Sequence, residues 1–243
     1  MAATRRIGLI LPSSNVVLEP AAAACWSGLP YFSWHISRLR VGVVALEDAS
    51  VAQFETEAMM AAAERLIDAD VDGLCWAGTA GAWLGLDRER ELAESLAEQA
   101  RKPATTTMLA LMDQLAERRI ERVGLLTPFT PEVQAAIIAN LGAAGVMVTA
   151  ACALGLASSR AMADVPPETI VEAVPVLARD GAQAVLILCT NLPGWQVAAE
   201  LERDLGLPVL DSAELTLAAS MALLGLDPRS IPGSRAFTDW VGR

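Results

Sequence analysis

The chain has 243 residues, 53% of them hydrophobic and 19% charged, with 29 acidic side chains against 18 basic ones and a formal net charge of −11. Such a chain is too apolar to be disordered and long enough to bury a core; it has no run of the ~20 apolar residues that a membrane span needs, and its negative charge without a compact Lys/Arg patch argues against nucleic acid. The N-terminal Met1-Ala-Ala-Thr-Arg-Arg6 leads into an apolar run too short for a secretory leader, so a cytoplasmic protein acting on small molecules is expected.

Short apolar runs alternate with longer Ala-, Leu- and Glu-rich amphipathic stretches, the pattern of an α/β fold with a mainly parallel sheet. In chain order the pattern predicts a strand over 6–11, a helix over 17–26, a strand over 32–39 and a helix over 51–67. A strand over 73–77 and helices over 88–99 and 106–117 follow, then a strand over 123–127 and a helix over 131–141. The remainder predicts strands over 146–150, 184–188 and 208–210, and helices over 167–179, 195–204 and 213–224.

Three segments recur in the same order. Arg6-Ile-Gly-Leu-Ile-Leu-Pro12 reappears as Arg122-Val-Gly-Leu-Leu-Thr-Pro128, 71–79 lines up with 182–190, and 102–107 lines up with 207–212. Any two βα units share a Val/Leu-rich strand and a turn, but three ordered matches point to a duplication. The expected architecture is two pseudo-symmetric lobes, each a mainly parallel sheet flanked by helices, with the site in the cleft between them. Residues 1–104 form the first lobe in this reading, completed by the C-terminal stretch 213–243, and residues 105–212 form the second. Ligands of such folds bind beyond the carboxyl ends of the strands, which gathers the turns at 12–15, 78–81, 127–130 and 189–191.

Cys25, Cys75, Cys152 and Cys189 are widely separated, and the single histidine, His35, sits in a strand-like alternation. Neither clustered metal ligation nor an imidazole-based triad is expected. Cys189 ends an apolar run and enters a turn just before a helix, where free N–H groups favour a reactive thiol. Cys75 inside a strand reads as a small hydrophobe, and Cys25 and Cys152 are weaker candidates. The turn residues Ser13, Ser14, Asn15, Thr190 and Asn191 have two readings. They are N-caps and turn formers, or, with the backbone N–H groups beside them, they hold a carboxylate without a formal positive charge. Their common placement at strand ends favours the second, with a small carboxylate or dicarboxylate as ligand. Whether the chain forms a homo-oligomer is left open.

The opening Gly8-Leu-Ile-Leu-Pro-Ser-Ser-Asn-Val-Val-Leu-Glu-Pro20 resembles the start of maleate cis-trans isomerases. The strand ending in Cys189-Thr-Asn191, followed by Leu205-Gly-Leu-Pro-Val209, resembles the second half of that group and of the arylmalonate decarboxylases, both of the aspartate/glutamate racemase superfamily. The resemblance spans nearly the whole chain and implies cofactor-independent chemistry on a carboxylate substrate. Such enzymes carry up to two cysteines, one per lobe. Racemases use them on opposite faces of a carbon acid, maleate isomerases use the first as nucleophile, and arylmalonate decarboxylases keep the second alone to protonate an enediolate. By that resemblance Cys189 is the second cysteine, Gly78 stands in place of the first, and Thr79 matches a decarboxylase threonine that helps bind a carboxylate. Two departures are Ala80, where decarboxylases have a serine, and Phe129, where both groups usually have a tyrosine; Asn15 is an isomerase feature.

One thiol suits a single proton transfer better than racemisation, which takes a proton from one face and returns it to the other. The expected activity is decarboxylation of a substituted malonate-type dicarboxylate, with Cys189 protonating the enediolate and the strand-end turns holding the carboxylate. An apolar pocket that expels the reacting carboxylate is expected from 41–44, Phe129 and 154–162. Two alternatives stand beside it: a maleate-isomerase-like enzyme, supported by Asn15 and opposed by Gly78, and a non-catalytic dicarboxylate-binding relative.

Overall fold

The run Ile7-Gly-Leu-Ile-Leu11 has no polar side chain to leave in water, which suits a strand covered on both faces. In the computed structural model, which describes residues 4–242, it forms the buried centre of β1 (Arg5–Pro12). The first half of the chain adds β2 (Phe32–Leu39), β3 (Gly73–Trp76) and β4 (Ala104–Thr106). The second half supplies β5 (Arg122–Thr127), β6 (Met147–Ala153), β7 (Ala184–Ile187) and β8 (Val209–Asp211). They build two four-stranded sheets, ordered β2-β1-β3-β4 and β6-β5-β7-β8, and every neighbouring pair in them is parallel.

The duplication extends to the pairing register. Ile7 pairs with Gly73 in the first sheet and Val123 with Ala184 in the second; Leu74 pairs with Ala104, and Val185 with Val209. These are the positions that the recurring segments align, so the same pairing is built twice from different side chains. The strand β4 is absent from the predicted elements: Ala104-Thr-Thr106 is too short and polar to signal a strand, and only its alignment with β8 points to it.

Each of these last strands runs directly into a capped helix. Thr106 accepts a hydrogen bond from the Leu109 amide at the start of the helix Thr107–Glu117, and Asp211, its counterpart, accepts from Ala213 and Glu214 at the start of the helix Ser212–Leu223. The latter helix is buried from Ser212 to Ala222, its small polar stripe Ser212, Thr216 and Ser220 included, and so has cover on every side. Ala213, Leu217 and Met221 belong to one buried cluster with Ile7, Leu9 and Leu11 of β1, so this helix lies against the first sheet.

Two predicted helices are interrupted. The stretch 51–67 divides into Asp48–Val51, a 3-10 turn Ala52–Phe54 and the helix Thr56–Ile67, with Glu55 extended before the last. Ser50 Oγ donates to the Val43 carbonyl, while Gln53 accepts from the Gly42 amide and donates to the Val43 carbonyl. These side chains bind the backbone of a neighbouring loop, which fixes a tight turn where a continuous helix was expected. The stretch 195–204 begins as a 3-10 turn, Pro193–Gln196, before Ala198–Leu205. Among the described residues no helix is long and apolar enough to cross a membrane.

Candidate active site

The carboxyl ends of the four central strands converge on one cavity. Pro12 comes from the end of β1, Gly78 and Thr79 from the turn after β3, Phe129 from the turn after β5, and Cys189 with Thr190 and Asn191 from the turn after β7. The cleft between the sheets therefore holds one thiol, with Gly78 on the same cavity. Most of the remaining wall is apolar: Val41 and Val44 follow β2, and Phe54, Trp76, Trp83 and Met162 complete it. Of the expected apolar wall, Val41, Val44, Phe129 and Met162 are in place, whereas Leu154 and Leu156 do not line the cavity. Phe54, Trp76 and Trp83 carried no signal in the sequence, because an aromatic residue in a strand or helix reads as ordinary core. His35 lies on β2, away from this cavity, with Nε2 at 3.2 Å from Ser33 Oγ.

The cavity measures about 30 Å³, a water-sized space beside the ~300 Å³ or more of ordinary small-molecule pockets. Two wall segments, one from each half of the chain, are zipped together beside it. Val43 and Ser158 form an antiparallel bridge, the Val44 amide donates to the Ala157 carbonyl at 2.9 Å, and the Ser159 amide donates to the Gly42 carbonyl at 3.0 Å. A ligand larger than water needs these segments, or the side chains they carry, to give way.

The turn after β1 supports the cavity without lining it. Ser13 Oγ accepts from the Val41 amide at 3.2 Å, and Ser14 Oγ donates to the Val41 carbonyl at 2.9 Å and lies 2.7 Å from Ser159 Oγ. Asn15 Oδ1 accepts from the amides of Val17 and Leu18, at 3.0 and 3.1 Å, and so fixes the turn that leads into the helix Leu18–Trp26. Ser13, Ser14 and Asn15 thus take the turn roles of their residue types, and their side chains are engaged by protein where a carboxylate was expected. Thr190 and Asn191 do line the cavity and are also tied. Thr190 Oγ1 donates to the Ala77 carbonyl at 3.0 Å and accepts from Asn15 Nδ2. Asn191 Nδ2 donates to the carbonyls of Ser159 and Ser14, and its Oδ1 accepts from the Val16 amide, so one side chain joins three segments. Thr79 lines the cavity with no side-chain hydrogen bond to protein among the described residues, and Ala80 and Phe129 line it without a hydroxyl.

Cys189 is 6% exposed. Its Sγ accepts from the Asn191 amide at 3.4 Å and lies 4.0 Å from Met162 Sδ. Burial, reinforced by the Asp211 carboxylate, pushes the thiol up to about 12 against the lowering effect of the Asn191 and Leu192 amides. The turn's N–H groups were expected to make the thiol acidic; desolvation outweighs them, and the sulfur is held protonated. On the same cavity, Trp76 fills the space that a side chain at position 78 needs. A β-carbon built on Gly78 lies 2.7 Å from Trp76 Cε2 and closer still to Cζ2.

Behind the same turn sits Glu89, which no sequence pattern marked. It is 3% exposed, its Oε1 accepts from the Gly81 amide at 2.8 Å, and its side chain occupies the place of a β-carbon on Gly81. Burial pushes its carboxyl up to about 7. Glu89 therefore fixes the backbone that carries Thr79 and Ala80.

The sequence profile of one enzyme family, described as arylmalonate decarboxylase, matches residues 7–237. The chain belongs to the arylmalonate decarboxylase family. The maleate isomerase of Nocardia farcinica is 30% identical over 240 residues, covering 95% of this chain and 94% of that protein. The arylmalonate decarboxylase of Bordetella bronchiseptica is 27% identical over 238 residues, covering 96% and 95%. Among solved structures, a mutant of the Nocardia farcinica maleate cis-trans isomerase with a covalently bound succinylcysteine intermediate superposes with a TM-score of 0.89 at 24% identity, over 98% of this chain and 100% of that one. The two-sheet fold is thus that of the arylmalonate decarboxylase family, which joins decarboxylases and isomerases.

Proposed function

We propose that the protein is a cofactor-independent decarboxylase of substituted malonates in which Cys189 delivers a proton to one face of an enediolate. The observation that supports this most is the position of Trp76 against Gly78, in a cavity lined by a single thiol. Sulfur approaches a bound carbon from the second lobe alone, and the room for a first-lobe thiol is taken by an indole. In the proposed step the bond between the α-carbon and one carboxylate breaks and carbon dioxide leaves. The bonding electron pair stays on the α-carbon as an enediolate shared with the retained carboxylate. The S–H proton passes to the α-carbon, and the resulting thiolate is reprotonated by water.

The surroundings suit that sequence. Apolar walls favour a charged carboxylate leaving as neutral carbon dioxide. The Thr79 hydroxyl and the amides at the strand ends supply donors for the charge that develops on the retained carboxylate. A thiol kept protonated is a proton donor, whereas covalent addition to maleate needs a thiolate. The competing isomerase reading is favoured by a separate observation, the 30% identity to the Nocardia farcinica maleate isomerase.

The deciding experiment incubates the protein with phenylmalonate, alkyl-substituted malonates and maleate in deuterated water, followed by NMR. Carbon dioxide release with one deuterium at the α-carbon, lost in Cys189→Ala, is the expected result. Fumarate from maleate would replace this reading with isomerisation, and binding without turnover on the whole panel would leave a dicarboxylate-binding protein.

A further inference from the structure

The family resemblance places a serine hydroxyl at position 80 and a tyrosine hydroxyl at position 129, and this chain has Ala80 and Phe129. Both line the cavity, so it has two fewer side-chain donors than the resemblance implies. Another donor stands beside the gap. Trp76 lines the same cavity and is 1% exposed, and its Nε1 has no hydrogen-bond partner. A buried indole N–H ordinarily finds an acceptor, and one left without carries a desolvation penalty that a ligand oxygen can relieve.

The ring lies against Gly78, which lines the same cavity. The atoms nearest a β-carbon on Gly78 are Trp76 Cζ2, Cε2 and Cη2, so the six-membered ring faces Gly78, and Nε1 is the next atom along from Cε2. Phe54 packs on the ring with centroids 6.4 Å apart and helps to hold it in place. Trp26 and Trp240 also lack an acceptor, but neither borders the Cys189 cavity. Trp83 does, and its N–H is likewise unpaired; Trp76 is distinguished from it by lying directly against Gly78.

We propose that Trp76 is a carboxylate-binding and specificity-determining residue of this site: its indole N–H donates to an oxygen of a malonate-type substrate in place of the missing hydroxyls, and its ring closes the cavity beside Gly78. The inference rests on the decarboxylase reading for the class of ligand. It explains one otherwise unrelated pair of facts, the loss of two hydroxyls and the presence of an unpaired donor beside the same turn.

The test uses Cys189→Ala protein, which binds without turnover, labelled with ¹⁵N-tryptophan and titrated with phenylmalonate, the indole resonance being assigned through Trp76→Phe. The Trp76 indole proton is expected to move downfield as it gains a charged acceptor, and Trp76→Phe to weaken phenylmalonate binding about tenfold to a hundredfold, the range of a hydrogen bond to a charged group. Binding with the Trp76 resonance unmoved, or equally tight binding by Trp76→Phe, overturns the inference and leaves the decarboxylase reading standing. Failure of the wild-type protein to bind or turn over any substituted malonate overturns that reading, and the inference with it. Should Trp76→Phe not fold, the titration still decides, with the remaining tryptophans assigned one at a time by replacement.

Discussion

Asn15 Nδ2 donates to Thr190 Oγ1 across 3.1 Å, so the turn after the first strand of one sheet holds the turn that carries the thiol of the other. The Thr190 hydroxyl passes the connection on to the Ala77 carbonyl at 3.0 Å. Cys189 is consequently placed from both halves of the chain, and its position relative to Gly78 depends on bonds that no single βα unit contains.

Asn15→Ala removes this bond and the two bonds that fix the turn before the helix Leu18–Trp26, leaving the Val17 and Leu18 amides without the Asn15 acceptor. A loss of about 2–3 kcal/mol is expected from the urea midpoint. Asn15→Asp keeps the acceptor for both amides but puts a buried carboxylate oxygen where Nδ2 met Thr190, and is expected to recover part of its loss on acidification, when the protonated carboxyl can again donate. An unchanged deficit between pH 8 and pH 4 would show that the bond to Thr190 carries none of the stability.

Gly78→Cys places a β-carbon against the Trp76 ring. Overpacking of this kind costs about 1–3 kcal/mol, readable as a lowered thermal midpoint. Combining it with Trp76→Leu is expected to be less damaging than the sum of the two single changes, because residues in direct contact couple. Additive losses would mean that the new side chain finds another route.

The pH profile separates a proton donor from a nucleophile. With the Cys189 thiol pushed up to about 12 by burial, decarboxylation is expected to stay level from pH 7 to pH 10, since the thiol remains protonated throughout. A thiolate nucleophile would give the reverse, with the rate climbing about tenfold per pH unit below its pKa. A steady-state profile of kcat with phenylmalonate decides between them.

Glu89 makes stability depend on pH in a definite direction. Its carboxyl moves from 4.5 to about 7 because it is buried. Between those values the folded protein holds a proton that the unfolded chain has released, so stability falls as pH rises through that window and levels off above it. The contribution is up to about 3 kcal/mol at ~1.4 kcal/mol per pKa unit. Burial raises Asp211 and Glu214 as well, in the same sense, while Glu132 and Asp227, which lie below the usual range, are fully exposed. Glu89→Gln keeps the acceptor for the Gly81 amide and is expected to flatten part of the dependence in urea titrations at pH 5 and pH 8. An unchanged slope would remove Glu89 as its source.

The alternation of apolar runs with amphipathic stretches, and the recurrence of three segments, were enough to read two similar parallel sheets, because buried parallel strands need continuous Val, Leu and Ile and the pairing register follows from where those runs begin. The turns that carry Cys189, Gly78 and Phe129 were legible because ligands of such folds bind beyond the carboxyl ends of the strands, and the resemblance to the family singled out Thr79, Ala80 and Phe129 within them. Ser13, Ser14 and Asn15 sit at an equally placed turn, yet their side chains bind Val41, Ser159, Val17, Leu18 and Thr190. A hydroxyl or amide at a strand end suits a ligand and a neighbouring loop alike, and the choice between them depends on partners distant in sequence. Trp76 and Glu89 show the same limit from the apolar side. Whether an indole is ordinary core or the wall of a site, and whether a helical glutamate is solvated or buried against Gly81, is set by packing between segments far apart in the chain, which local periodicity does not encode.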